Sequence, residues 1–163
     1  MTRIAAELIR DLETTRDETL RFFTLGEQEL SRRYGHGKWS VRFLLHHLAD
    51  AETVLYERIR RVIAEPPQTL MVFDQDAWAR ELDYARAPLD ISRDIFASVR
   101  RGVIRLAGHH YEARGHLTFV HSTMGVRTLR EEFDKVAAHN AKHLSQIRAA
   151  LVREESRSSS GQL

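Results

Sequence analysis

The sequence predicts an all-α protein built as a four-helix bundle. Three observations carry that prediction. Four long stretches repeat apolar residues at helical spacing, and no segment of useful length alternates apolar and polar residues at the period of a strand. The chain has 163 residues, 42% of them apolar, enough for one domain with a real core.

The first helix is expected from about Thr2 to Phe23, with Ile4, Leu8, Leu12 and Phe22 near one face. Thr15 and Thr19 interrupt that face. The second helix has the clearest start. Ser40 is a good N-cap, and Trp39 and Leu44 flank it in the arrangement of a hydrophobic staple. It runs to Glu65 and stops at Pro66-Pro67, where ring sterics and missing N–H groups end a helix. The third begins near Pro88 or Asp90 and passes through Ile91, Ile95, Val99 and Leu106 to about Tyr111. Gly102 sits on that apolar face and suggests a close helix–helix approach. The fourth opens with Thr128-Leu129-Arg130-Glu131, a capping box, and runs to about Glu155. Residues 1–155 form the bundle, and 156–163 read as a disordered tail.

The connections suggest the topology. About 24 residues separate the second and third helices, and Asp74 to Leu82 reads as a short helix within them. A connection that long can cross the whole bundle and leave those two helices parallel. The expected order is therefore up-down-down-up.

Composition excludes several functions. The chain lacks Cys, so disulfides, thiolate zinc sites, iron–sulfur clusters and a cysteine nucleophile are ruled out. A net charge of +2 is too balanced to predict nucleic-acid binding. No apolar run approaches the ~20 residues of a membrane helix, and the N-terminal stretch lacks the apolar core of a secretory signal. A cytoplasmic protein is expected. The sequence has no P-loop, dinucleotide fingerprint, nucleophile elbow, zincin motif or di-iron Glu-x-x-His pattern.

The unusual number is nine His. On the fourth helix, Leu129, Phe133, Val136, Ile147 and Leu151 define the core stripe. Asn140 lies at its centre, and His139 and His143 lie on its flank, one turn apart. An i,i+4 pair lets two imidazoles converge on one ion. On the second helix the wheel puts His47 on the flank of the core stripe and turns His46 toward solvent. The functional reading is a three-His metal site of His47, His139 and His143, with positions left open for water or substrate. The plainer reading is that flank histidines and His-x-x-x-His pairs also occur on ordinary helix boundaries. Glu52, near the middle of an apolar stripe, is either a group orienting a ligand histidine, a general base, or the partner of a core-facing Arg. Asn140 either serves a buried cofactor patch or makes an ordinary interhelical hydrogen bond.

Over Lys38 to Ile147 the sequence resembles the DinB-like superfamily, most closely its YfiT-like branch, classed as metal-dependent hydrolases and bacillithiol transferases. The segments that carry the resemblance are Lys38 through Glu52, Phe73 through Ala79, and His121 through Ile147. The resemblance implies an up-down-down-up bundle, often a homodimer. It also implies one divalent ion per chain, nickel or zinc, on histidines matching His47, His139 and His143. It further implies a small-molecule substrate and a low-molecular-weight thiol as cosubstrate. His121 and Trp39 are placed at the pocket rim partly on this ground. The expected function is metal-activated attack of water or thiol on a small electrophile. The alternative is a non-catalytic, metal-binding or stress-associated bundle. A DNA-associated factor is a third reading, opposed by the charge.

Overall fold

The computed structural model describes residues 3–158, with side chains through residue 152. The chain folds as α1 (Ala5–Phe22), α2 (Glu27–Leu30), α3 (Val41–Ala64), β1 (Thr69–Leu70), α4 (Gln75–Glu81), α5 (Leu89–His110), β2 (Thr118–His121), β3 (Gly125–Thr128) and α6 (Leu129–Ser158). The bundle is α1, α3, α5 and α6. Residues 156–158, where the tail is expected to begin, continue α6, and from residue 159 on the chain lies outside the described residues.

Side-chain pairs fix the helix directions. His46 meets Ser92 and Glu52 meets Arg100, so α3 and α5 run parallel. His47 meets His139 while Arg58 meets Glu132, so α3 and α6 are antiparallel. Ala5 bonds Glu112 and Leu12 bonds Arg100, which sets α1 against α5. Arg3 meets Asp134, and Glu18 meets Arg148, so α1 and α6 are parallel. This is the up-down-down-up order.

The local signals act as their chemistry requires. The N–H of Phe43 donates to the Ser40 hydroxyl at 3.3 Å and caps α3. Thr128 and Glu131 form the reciprocal capping box of α6, at 2.7 and 3.2 Å. Asp74 caps α4, accepting from the N–H groups of Asp76 and Ala77 at 3.0 Å. Gly102 marks a close approach of α5 to α3. A methyl group there would lie 2.8 Å from the Tyr56 ring, so any side chain would have to displace that ring.

Two expectations need correction. The first is the absence of strands. A three-stranded sheet of order β1-β2-β3 closes one end, β1 parallel and β3 antiparallel to β2. Its strands are two to four residues long, too short to register as an alternating pattern. In β2 the alternation is nevertheless present, with Phe119 and His121 buried and Thr118 and Val120 exposed. Gly125, at φ +72°, begins β3 after the hairpin turn, a backbone geometry that favours glycine.

The second is the core face of α5. Ile91 and Ile95 are exposed, and the buried positions are Phe96, Arg100, Val103 and Ala107. A charged residue occupies a core position, which hides the true register from an apolar count. Arg100 is fully buried because every nitrogen of its guanidinium is bonded. It donates to Glu52 at 2.9 Å, to the Leu12 carbonyl at 2.9 Å and to the Thr15 hydroxyl at 3.0 Å. The same polar layer explains the interruptions on α1: Thr15 takes Arg100, and Thr19 takes Asn140.

Candidate metal centre

The α3 and α6 helices face each other where His47, His139 and His143 converge. The Nε2 of His139 lies 3.1 Å from the Nε2 of His47 and 3.1 Å from that of His143. All three ligand atoms lie within 4.8 Å of one another. A tetrahedral ion with metal–nitrogen bonds of about 2.05 Å would space its nitrogens by about 3.3 Å.

Surroundings fix the rings. The His143 Nδ1–H donates to Gln146 Oε1 at 2.7 Å, which leaves the Nε2 lone pair facing the cluster. Trp39 stands edge-on to His47 with centroids 5.2 Å apart, and Phe73 stacks over the same ring at 6.2 Å. His47 and His143 are buried, and His139 is half-buried. Burial, with the charges of His143 and Lys142 added, holds His47 far below the ordinary histidine value, at about 3. Burial first, then His143 and His47, takes His139 to about 2. His143 is also lowered, chiefly by burial, although Gln146 opposes the shift.

These rings are therefore neutral at ordinary pH, and their lone pairs crowd together. One proton between two of them cannot satisfy three. His47 Nδ1 is buried and finds no partner among the described residues. A cation shared by the three Nε2 atoms relieves the crowding, and an all-imidazole donor set suits a divalent transition metal. The residues fit such an ion.

A cavity of about 310 Å³ opens beside the cluster. Its wall includes His139, His143, Gln146, Trp39, Lys38 and Lys142. The position of Trp39 here follows from the cap of α3, since it immediately precedes Ser40. Gln75 and Asp76 reach the wall from the first turn of α4.

The other residues singled out in the sequence lie elsewhere. Both Glu52 oxygens are bonded to Arg100, so Glu52 neither orients a ligand nor stands free as a base. Asn140 is fully buried and donates to the Thr19 hydroxyl at 3.2 Å, an interhelical bond to α1. His121 is buried at the end of β2, accepting from the Thr123 N–H at 3.3 Å, and does not line the cavity. His46 is not solvated as the wheel suggested. It is buried, stacked on Tyr84 at 5.1 Å and bonded to Ser92 at 2.8 Å. The chain from Tyr84 into α5 covers the face of α3 that a single-helix wheel leaves open. His46 still points away from the three-histidine cluster. Gln146 was missed in the sequence; the available signal was an amide three residues beyond His143.

The fold and the cluster define a class: an up-down-down-up helical bundle with three convergent imidazoles set between two of its helices. The chain belongs to the DinB superfamily, whose pattern matches residues 11–147. It is similar to a protein of Oceanobacillus iheyensis named "putative metal-dependent hydrolase", 30% identical over 128 residues, 78% of this chain and 73% of that one. A protein of the same description from Halalkalibacterium halodurans is 25% identical over 130 residues, covering 80% and 75%. Among solved structures, YfiT from Bacillus subtilis superposes with a TM-score of 0.83 at 22% identity, over 93% of this chain and 87% of that one. It is described as "a probable metal-dependent hydrolase with an unusual four-helix bundle topology", and at this identity the likeness establishes the fold. Among the described residues, no helix is long and apolar enough to cross a membrane.

Proposed function

We propose that the protein is a metal-dependent enzyme acting on a small electrophilic substrate, with His47, His139 and His143 holding one divalent ion, zinc or nickel. The observation that carries this reading is the convergence of three neutral imidazole nitrogens beside a cavity of about 310 Å³. Three protein donors leave coordination positions for water or substrate, which distinguishes a catalytic from a closed structural site. The names of the relatives agree with hydrolysis.

An ion held there supplies Lewis acidity and lowers the pKa of a bound water or thiol. The chain's own residues prepare the site. Gln146 holds His143 in the tautomer whose lone pair faces inward. Trp39 and Phe73 pack against the His47 ring and cover that side of the cluster. The chain has no cysteine, so a thiol nucleophile would have to come from a cosubstrate.

The test starts with elemental analysis of protein purified without a His-tag or chelating resin, expected to give one ion per chain. Metal-loaded protein and its His143→Ala variant are then assayed against ester, amide and alkylating electrophiles, with and without bacillithiol, mycothiol or glutathione. Cleavage without thiol that is lost in the variant identifies a hydrolase. Thiol-dependent consumption that is lost in the variant identifies a transferase. Metal binding with no turnover in any arm favours the non-catalytic bundle.

A further inference from the structure

The distribution of lysine around the cavity points to the charge of the substrate. Of the chain's 25 cationic Lys and Arg residues, only Lys38, Lys135 and Lys142 are lysines. All three lie around the histidine cluster. Lys38 and Lys142 line the cavity, and Lys135 sits half-buried one turn before His139 on α6. Elsewhere the cations are arginines, and many meet carboxylates, among them Arg42, Arg58, Arg100 and Arg148. The side-chain ammonium of none of the three lysines forms an ion pair or hydrogen bond among the described residues.

Both lysines of the cavity are exposed, yet they stand together on its lining rather than scattered over separate faces. Lys142 follows His139 by three residues and immediately precedes His143, so its position is tied to the ligand helix. Lys38 follows Gly37, whose φ of +66° turns the chain toward α3. Asp76 is the one carboxylate on the lining. With two ammonium groups, and with neutral imidazoles rather than carboxylates around the ion, the cavity is cationic. A compact ammonium on a flexible stem attracts an anionic group as a mobile point charge, without the fixed fork geometry of arginine.

We infer that the cavity takes an anionic molecule, and that Lys38 and Lys142 hold its carboxylate while its reactive group reaches the ion. The inference rests on the metal-site reading and adds the substrate's charge class. The carboxylate belongs either to a thiol or to the molecule being attacked, and the test has an arm for each.

The full chain is loaded with cobalt(II), whose absorption reports ligand binding without any turnover. In the first arm, 3-mercaptopropionate, 2-mercaptoethanol and cysteamine offer the same thiol with a negative, neutral or positive tail. In the second, acetohydroxamate is compared with the monohydroxamate of succinate. The expected result is binding of the carboxylate-bearing probe about tenfold tighter than its neutral partner in at least one arm, the scale of one charge-assisted contact. Lys38→Gln and Lys142→Gln each reduce that preference several-fold, and Lys142→Glu shifts it toward cysteamine if the thiol carries the charge. Arg101→Gln, on the α1/α5 face, leaves it unchanged. A preference confined to the thiol arm assigns the carboxylate to the cosubstrate. One confined to the hydroxamate arm assigns it to the other substrate. Cobalt binding with equal affinities in both arms overturns the inference and leaves the metal site standing. Failure to bind cobalt overturns the metal-site reading itself.

Discussion

His143 and Gln146 are joined by a hydrogen bond of 2.7 Å from Nδ1 to Oε1, one turn apart on α6. The bond sets which nitrogen of His143 carries the proton. Its loss frees the ring to rotate and to change tautomer. Gln146→Leu is expected to weaken metal affinity by roughly 10–100-fold, the usual effect of removing a group that orients a ligand histidine. Gln146→Glu retains an acceptor and keeps most of the affinity. Competition with a chromogenic chelator measures both.

The ligand set can be separated from its neighbours by substitution. His47→Ala, His139→Ala and His143→Ala each abolish stoichiometric metal in an elemental assay. His46→Ala retains one ion per chain, because His46 faces Tyr84 and Ser92. It loses buried packing instead, at a cost of about 1–3 kcal/mol in denaturant unfolding. Loss of metal in the His46 variant, with metal retained in the His47 variant, would place His46 and not His47 in the ligand set.

Glu52 is predicted to matter for folding and not for the ion. Glu52→Ala strands a fully buried guanidinium and destabilises the protein by about 3–5 kcal/mol. Replacing both partners, as Glu52→Leu with Arg100→Met, costs less than either single change. Urea unfolding of the three variants, alongside their metal content, tests both halves of the statement.

The metal-free protein should lose stability in acid through its histidines. Burial holds His47 at about 3 and His139 at about 2 when folded, against 6.5 for the free side chain. His143 shifts in the same direction. Between these values the unfolded chain binds more protons than the folded one, so stability rises with pH. It is fully present above 6.5 and falls as pH drops toward 3. Metal-loaded protein falls more steeply, because protons displace the ion as well. Unfolding midpoints measured from about pH 7.5 down to about pH 4, with and without metal, give the two curves.

Removing metal above pH 7 should leave the helical circular dichroism intact, because the core does not depend on the site. Leu44, Leu48, Ile59, Phe133 and Val136 are buried, and a side chain of this size contributes roughly 1.5–3 kcal/mol. Metal raises the melting temperature by binding the native state alone. Collapse of helicity on chelation would make the ion structural.

The long helices were legible because each writes its own period and cap, as Ser40 and Thr128 do. The pair His139 and His143 was legible for the same reason: one helix fixes its geometry. The register of α5 was not, because Arg100 occupies a core position and its suitability there depends on Glu52 and Thr15 from other helices. The burial of His46 was also hidden, because its cover comes from Tyr84 and Ser92, far along the chain. The sheet escaped notice because His121 and Phe119 alternate over only four residues. Glu52 and Asn140 showed that they needed partners, but not which of the possible partners the fold supplies.

His47 and His139 are 92 residues apart in the chain yet touch in the fold. In a protein without disulfides, an ion gripping both would act as a reversible cross-link closing most of the polypeptide into one loop. Closing so long a loop costs the chain entropy that folding, not the ion, must offset before the two histidines can meet. The clasp cannot form until α6 has been synthesised and laid against α3. Metal uptake would then be the last event of assembly, and any breathing that parts those two helices would return the ion to solvent before the rest of the bundle opened.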